Sequence, residues 1–175
     1  MYPDPPLAGT TIVLRPFREE DFDAALALEQ DEAAARWVPA LPAADSAGVV
    51  AFYDACRLEG SLLHLVIADR VTGAYLGETM LALTEHSVGE VGCCLAPSAR
   101  GCGVATEALR LLTDWAIATL ELGRVQVFVA PENVPALGLA ERAGFRREGV
   151  LRSYWEVNGA RLDVVVLARV PGDVV

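Results

Sequence analysis

The chain has 175 residues, 53% of them hydrophobic and 22% charged, which is enough for one domain with a real core and excludes a disordered chain. The net charge of -10 opposes tight binding to a nucleic-acid backbone, which needs clustered cations, and mildly favours a cationic ligand by long-range attraction. No basic N-terminal stretch leads into an apolar run, and no window approaches the roughly 18 uninterrupted apolar residues of a membrane span, so a soluble cytoplasmic protein without a membrane partner is expected.

Residues 1–9 contain three prolines and read as a loose segment. "TTIVLRPF" (10–17) reads as a strand. "EEDFDAALALEQ" (19–30) has acids in its first turn and apolar residues at Phe22, Ala25 and Leu26, a helical pattern. "RWVPALP" (36–42) ends it with two prolines, and a second helix is expected over about 45–58. "LLHLVIAD" (62–69), "RVTG" and "AYLGETMLAL" (74–83) form a hairpin, and "EVGCCLA" (90–96) adds the third strand of a meander.

A long helix follows over 103–121. Ala105, Ala108, Leu109, Leu112 and Ala116 have helical spacing, and Leu111, Trp115 and Ala118 widen the apolar stripe. Glu107, Arg110, Asp114 and Glu121 mark its wet side, and Gly123 stops it. "RVQVFVA" (124–130) is a strand, 135–143 a short helix ended by Gly144, and 145–157 and 160–170 are strands joined at the hairpin turn Asn158-Gly159. Hairpins beside helical crossovers predict one mixed α/β domain over 10–170, with about seven mostly antiparallel strands, about four helices and a tail at 171–175.

The four cysteines, Cys56, Cys93, Cys94 and Cys102, match no zinc spacing, and His64 and His86 sit in no ligand-like cluster, so no metal is predicted. Buried free thiols are expected, with Cys93 and Cys94 on opposite faces of their strand.

The segment between the third meander strand and the long helix, "APSARGCGVAT" (96–106), raises the question of what it holds. A Walker A loop needs a lysine, and the chain has none. A dinucleotide fingerprint needs G-x-G-x-x-G straight after the strand, but here the third position is Thr106 and "APSAR" intervenes. A glycine loop with no ligand is one remaining reading. The other is a pyrophosphate cradle. In it, backbone N–H groups from Gly101 to Thr106 point at an anion, the helix dipole adds attraction, Arg100 offers charge and Thr106 a hydroxyl.

"RGCGVA" (100–105) resembles the R/Q-x-x-G-x-G/A signature of the GNAT acetyltransferase superfamily. "RVQVFVAPENVPALGLAERAGFRREGVLR" (124–152) is similar to that superfamily's second segment, with Asn133 after a strand and a terminal Gly144-Phe145. "IVLRPFREEDFDAALAL", "LGETML" and "NGARLDVVVLA" match its Rim-like branch, which acetylates ribosomal-protein N-termini; the resemblance spans roughly 10–168.

The resemblance implies acetyl-coenzyme A as cofactor, with its pyrophosphate on Arg100, Gly101, Cys102, Gly103, Val104, Ala105 and Thr106. Its pantetheine arm would lie along Cys94, Leu95 and Ala96, near Asn133. It implies direct attack of a primary amine on the thioester, with a carboxylate as base: Glu90 first, Glu78 second, Glu156 third. Trp37, Tyr154 and Trp155 would line the acceptor site, for a peptide N-terminus or a small amine, and Glu78, Glu85, Glu90 and Glu156 would make that site acidic. Ala136 and Ala140 stand where relatives carry a Ser or a Tyr proton donor. Water, Tyr154 or Ser153 would have to replace them, or the chain is a non-catalytic coenzyme A-binding regulator. An acetyl-cysteine route through Cys94 or Cys102 would need an exposed thiol of depressed pKa. Homodimer formation is left open, and no nucleic acid is expected.

Overall fold

The computed structural model describes residues 2–37, 48, 51, 55, 60, 62–157 and 159–173. Of the helix expected over 45–58 only Gly48, Ala51 and Ala55 are described, and all three are helical; the prolines of "RWVPALP" and Cys56 fall outside the described residues. Eight strands form one sheet in the order β1-β2-β3-β4-β5-β6-β8-β7: β1 (Leu7–Ala8), β2 (Ile12–Arg15), β3 (Leu62–Asp69), β4 (Tyr75–Thr84), β5 (Val88–Leu95), β6 (Arg124–Val129), β7 (Arg146–Val157) and β8 (Ala160–Arg169). Every neighbouring pair is antiparallel except β5 and β6, so the expected mixed, mostly antiparallel architecture stands with one strand more than foreseen. The described helices are α1 (Phe22–Glu29), α2 (Glu32–Ala35), α3 (Val104–Thr119) and α4 (Val134–Arg142).

The near-continuous apolar run of β3 is explained by its place: Leu63 to Ala68 are all buried, as in a strand covered on both faces. On one face α3 lays Ala108, Leu109, Leu112 and Ala116 against Leu65, Leu81, Val91, Val125 and Leu167, and α4 adds Leu137 and Ala140. Leu111 and Trp115 pack at the margin of that core as expected, whereas Ala118 is exposed because 100° per residue carries it off the stripe. The helix ends at Thr119, and Glu121, at φ 54, turns the chain before Gly123. On the other face α1 packs over β4. Its entry is fixed by a buried, bidentate Arg15–Asp21 pair, which Arg15 extends to the carbonyl of Gly73.

The extra strand corrects the expectation of a loose N-terminus. Leu7 and Ala8 pair with Leu14 and Val13, and Tyr2 and Leu7 rest on the core. The cause lies far along the chain: the Glu107 carboxylate, in the first turn of α3, accepts from the amides of Thr10 and Thr11 and from the Thr11 hydroxyl. Glu107 is therefore a fastener of the N-terminal hairpin and not merely a wet-side residue. Burial raises its pKa, but the Thr11 and Thr10 hydrogen bonds together with Arg70 outweigh that and hold it below the usual carboxylate range. A lowered carboxylate pKa contributes stability above the unfolded-state pKa, and that stability is lost as pH falls through the folded value. Glu107→Gln is expected to lower the melting temperature by about 2 °C at pH 7. The deficit should close in acid, where the wild-type carboxyl is protonated too; thermal melts of both proteins across pH 3–7 check this.

The β3–β4 turn matches its sequence signature. Asp69 accepts from the amides of Val71 and Thr72 and from the Thr72 hydroxyl, and Gly73 takes φ 75. Further along, a bulge at Leu76 brings Gly77 against β5 so closely that a Cβ there would stand 2.3 Å from the carbonyl oxygen of Cys94. Only glycine permits that approach, and it sets the path of the last residues of β5.

Candidate active site

β5 and β6 pair only over Val88–Glu90 and Arg124–Gln126. Beyond that, β5 stays with β4 as far as Leu95, and β6 stays with β8 as far as Val129. The sheet thus splits into a wedge. Among the described residues no strand takes the backbone groups that Val91–Leu95 turn away from β4, so an extended polar chain can lie along them as a strand would.

The mouth of the wedge is the loop singled out in the sequence. Pro97–Ala99 form a 3-10 turn, Gly101 and Gly103 adopt φ 77 and 83, and Gly103 caps α3. A Cβ on either glycine would meet nothing within 4 Å, and residues 100–103 are exposed, so the turn is open and not packed on protein. Among the described residues, no protein acceptor takes the N–H groups of Gly101 to Thr106. Amides without a protein acceptor at the positive end of a helix are chemically suited to an anion. Val104 and Ala105 turn their side chains into the core, so they have only their amides to offer, whereas Thr106 is half-buried.

Arg100 is placed differently from the sequence reading. Its guanidinium donates to the Leu95 carbonyl at 3.1 Å and to Asp31 at 2.5 Å. Asp31 also caps α2 by accepting from Ala34 N, and the Arg100 hydrogen bond, then the Ala34 amide, hold its pKa below the usual range. Arg100 therefore ties the cradle to the α1–α2 corner, and its charge is already committed.

Alternation along β5 puts Cys93 and Leu95 on the α3 face and Glu90 and Cys94 on the other, as expected for the two adjacent cysteines. Glu90 lies where the strands part, paired with Ala82 on one side and Gln126 on the other. Its carboxylate is half-buried, no hydrogen bond reaches it among the described residues, and burial pushes its pKa up. Glu78 is more deeply buried and differently occupied: it accepts from the Tyr75 hydroxyl at 2.6 Å and faces His64 Nε2 at 3.2 Å. Glu156 is exposed and paired with Arg161 on the β7–β8 hairpin. Glu85 is exposed beside His86.

Burial, with Glu78 adding, pushes the Cys94 thiol up to about 11, and burial pushes Cys93 up to about 12. Both shifts oppose a nucleophilic thiolate. Against the expectation of buried thiols, Cys93 and Cys94 are only partly buried and Cys102 is exposed, its Sγ donating to the Arg100 carbonyl.

Asn133 caps α4: its side-chain oxygen accepts from Ala136 N at 3.3 Å, which leaves its NH₂ for a ligand. Ala140 is packed in the core at 1% exposure, and Ala136 borders it. Tyr154 stands on a bulge of β7 in which 152–154 are passed over between the pairs Leu151–Val164 and Trp155–Leu162. Ser153 is held there at φ 52 by Asp163, which accepts its amide, and Arg161 reaches its carbonyl. The bulge lays the Tyr154 ring on Phe128 of β6, with centroids 5.0 Å apart. Trp155 is half-buried, and Trp37, just after α2, carries the Arg36 guanidinium over its ring at 4.8 Å. Sequence reasoning missed Gln126 and Phe128. Their signal is the alternation of β6, where Val125, Val127 and Val129 are buried on the opposite face.

An open turn of unbonded amides at a helix start, leading into a wedge between two parallel strands, suits a ligand with an anionic head and an extended polar arm. The chain belongs to the acetyltransferase (GNAT) domain family, whose model matches residues 11–146. The uncharacterized N-acetyltransferase p20 of Bacillus licheniformis is 26% identical over 90% of this chain and 91% of its own. The structure of Mycobacterium smegmatis RimJ in complex with CoA-disulfide is 27% identical, with a TM-score of 0.81 over 91% of this chain and 82% of that one. A spermidine N-acetyltransferase from Vibrio cholerae, solved with CoA and spermine, shares the fold at a TM-score of 0.82 and 22% identity, covering 94% and 98% of the two chains. Among the described residues no helix is long and apolar enough to cross a membrane, and no group of side chains could hold a metal ion.

Proposed function

We propose that this chain transfers the acetyl group of acetyl-coenzyme A to a primary amine by direct attack within a ternary complex, with Glu90 as the base. The observation that carries the reading is the position of Glu90: an unbonded, half-buried carboxylate of raised pKa at the point where the wedge opens. The pyrophosphate is held by the amides of Gly101 to Thr106, and the pantetheine arm runs beside Cys94, Leu95 and Ala96 toward Asn133 and its free NH₂.

Glu90 takes the proton from the attacking nitrogen. The C–N bond forms, the C–S bond breaks, and the thiolate leaves and takes up a proton. Thiols ionise near 8.5, so the thiolate leaves without an obligatory acid, and neither Ala136 nor Ala140 can provide one. The Tyr154 hydroxyl on the β6 wall is the available donor. Glu78, bonded by Tyr75 and facing His64, adds negative charge beside the wedge and is not the base. With Trp37, Tyr154 and Trp155 it bounds an acceptor site suited to a cationic amine. A RimL ribosomal L7/L12 alpha-N-protein acetyltransferase and the spermidine N-acetyltransferase, both of this fold, point to two acceptor classes, protein N-termini and polyamines.

The test combines the full chain with acetyl-coenzyme A and a panel of polyamines and free-N-terminus peptides, and follows the released thiol with a disulfide reagent. Thiol release that depends on the amine is the expected result. Calorimetric binding of coenzyme A with no release across the panel would favour a non-catalytic regulator instead.

A further inference from the structure

The turn at 100–103 is exposed, and a Cβ on Gly101 or Gly103 would meet nothing within 4 Å, so packing does not fix its path. It is fixed at its ends. At one end Gly103 passes into α3, and Glu107 N donates to the Gly103 carbonyl. At the other end, just after the buried Ala99, stands Arg100. Its Nε donates to the Leu95 carbonyl at the end of β5, and its Nη2 reaches Asp31 at 2.5 Å. Among the described residues the one further side-chain bond of the turn is internal, from Cys102 Sγ to the Arg100 carbonyl.

Asp31 has a second task. The same Oδ1 accepts from Ala34 N at 2.9 Å and so caps α2. One carboxylate oxygen thus serves both the α1–α2 corner and a turn 69 residues further on. That corner adjoins the wedge. Burial first, then the Glu78 charge, raises the Cys94 pKa, and Arg100, Glu29 and Asp31 all lie near enough to act on the same thiol.

The pair is too exposed to matter much for the fold as a whole. Its side chains are 38% and 20% exposed, and ion pairs in such a setting contribute little to global stability. Its effect is local. A ligand that must first order the amides it uses binds more weakly, and a turn already held in place spares it that cost.

Resting on the acetyl-coenzyme A reading above, we propose that Asp31 is a positioning residue for cofactor binding: through Arg100 it holds the turn at 100–103 in the path that the ligand needs, without touching the ligand. The opposite reading makes Asp31 a restraint that keeps Arg100 from serving the pyrophosphate as a cation. Geometry favours the first, since Arg100 would give up the Leu95 carbonyl as well as Asp31 in turning toward an anion.

Titration calorimetry of the full chain with coenzyme A, paired with thermal melts, tests it. Asp31→Ser keeps a good N-cap for α2 but cannot pair with a guanidinium. It should weaken coenzyme A about fivefold and move the melting temperature by no more than about 1 °C. Asp31→Asn still offers Arg100 an uncharged acceptor, so its loss should be smaller. Arg100→Ala should weaken coenzyme A at least as much as Asp31→Ser, and adding Asp31→Ser to it should change nothing further, because both break one link. Unchanged affinity in Asp31→Ser would overturn the proposal, as would a further loss on adding it to Arg100→Ala. Tighter binding in Asp31→Ser would overturn it too, by showing that a freed Arg100 serves the phosphate. Each of these leaves the acetyltransferase reading intact, whereas a wild-type chain that binds no coenzyme A would overturn both.

Discussion

If Glu90 is the base as proposed, Glu90→Gln is expected to lower turnover by about 10²–10⁴ while leaving coenzyme A affinity unchanged, because a positioned base contributes a factor of that size and Glu90 lies apart from the loop at 100–106. The same variant separates catalysis from folding. A carboxylate whose folded pKa is raised costs stability at pH values above that pKa, and the cost disappears below the unfolded value, where both states are protonated. A neutral amide removes the cost, so Glu90→Gln is expected to melt at or above the wild-type temperature at pH 7 even as it loses activity. In the wild type, kcat is expected to fall as pH drops through the Glu90 pKa, which burial raises above the usual carboxylate range, and that acid limb should vanish in the variant. Unaltered turnover with an intact acid limb would remove Glu90 from the mechanism. Glu78→Gln should behave otherwise: it leaves Tyr75 and His64 facing a neutral amide in a buried place, and its first effect is on the melting temperature.

Local pattern carried the strands that neighbours cover and the turns that side chains build. Residues 62–69 read as a strand because an apolar run leads through "RVTG" into a second such run, a hairpin signature, and the structure shows Asp69 and Gly73 supplying that turn's bonds and its φ. The features missed depend on partners far away in sequence. β1 exists because Glu107, 97 residues on, fastens Thr10. Arg100 looked like a phosphate cation, but Asp31 claims it from 69 residues upstream. The wedge itself has no signature in 88–95 or 124–129, since it is the absence of pairing beyond Glu90 and Gln126. The bulge that presents Tyr154 needs Ser153 in the left-handed region, which nothing in "LRSYWEV" demands until Asp163 takes its amide. The open glycine turn before α3 was legible because glycine spacing and a helix start are both local.

Gly103→Trp is expected to abolish measurable coenzyme A binding, a loss of at least about 100-fold, with the fold retained. Its effect on the fold is bounded by what surrounds the residue: a Cβ there meets nothing within 4 Å, so no core atom has to move. The remaining cost is a non-glycine residue at φ 83, roughly 1–2 kcal/mol. Its effect on the ligand is far larger. The indole occupies the space into which the amides of Gly101 to Thr106 point, and an anion kept an ångström or two away loses charge-assisted hydrogen bonds that it cannot recover from Arg100, which is bound to Asp31. Gly77→Ala is the control with the opposite profile. Its Cβ would collide with the Cys94 carbonyl at 2.3 Å, so it should disturb the wedge wall and the melting temperature together. Calorimetry with coenzyme A, paired with thermal melts, distinguishes the two. Coenzyme A binding to Gly103→Trp at wild-type strength would show that the pyrophosphate rests elsewhere and would remove the cradle, and with it the reason for aiming a thioester at Glu90.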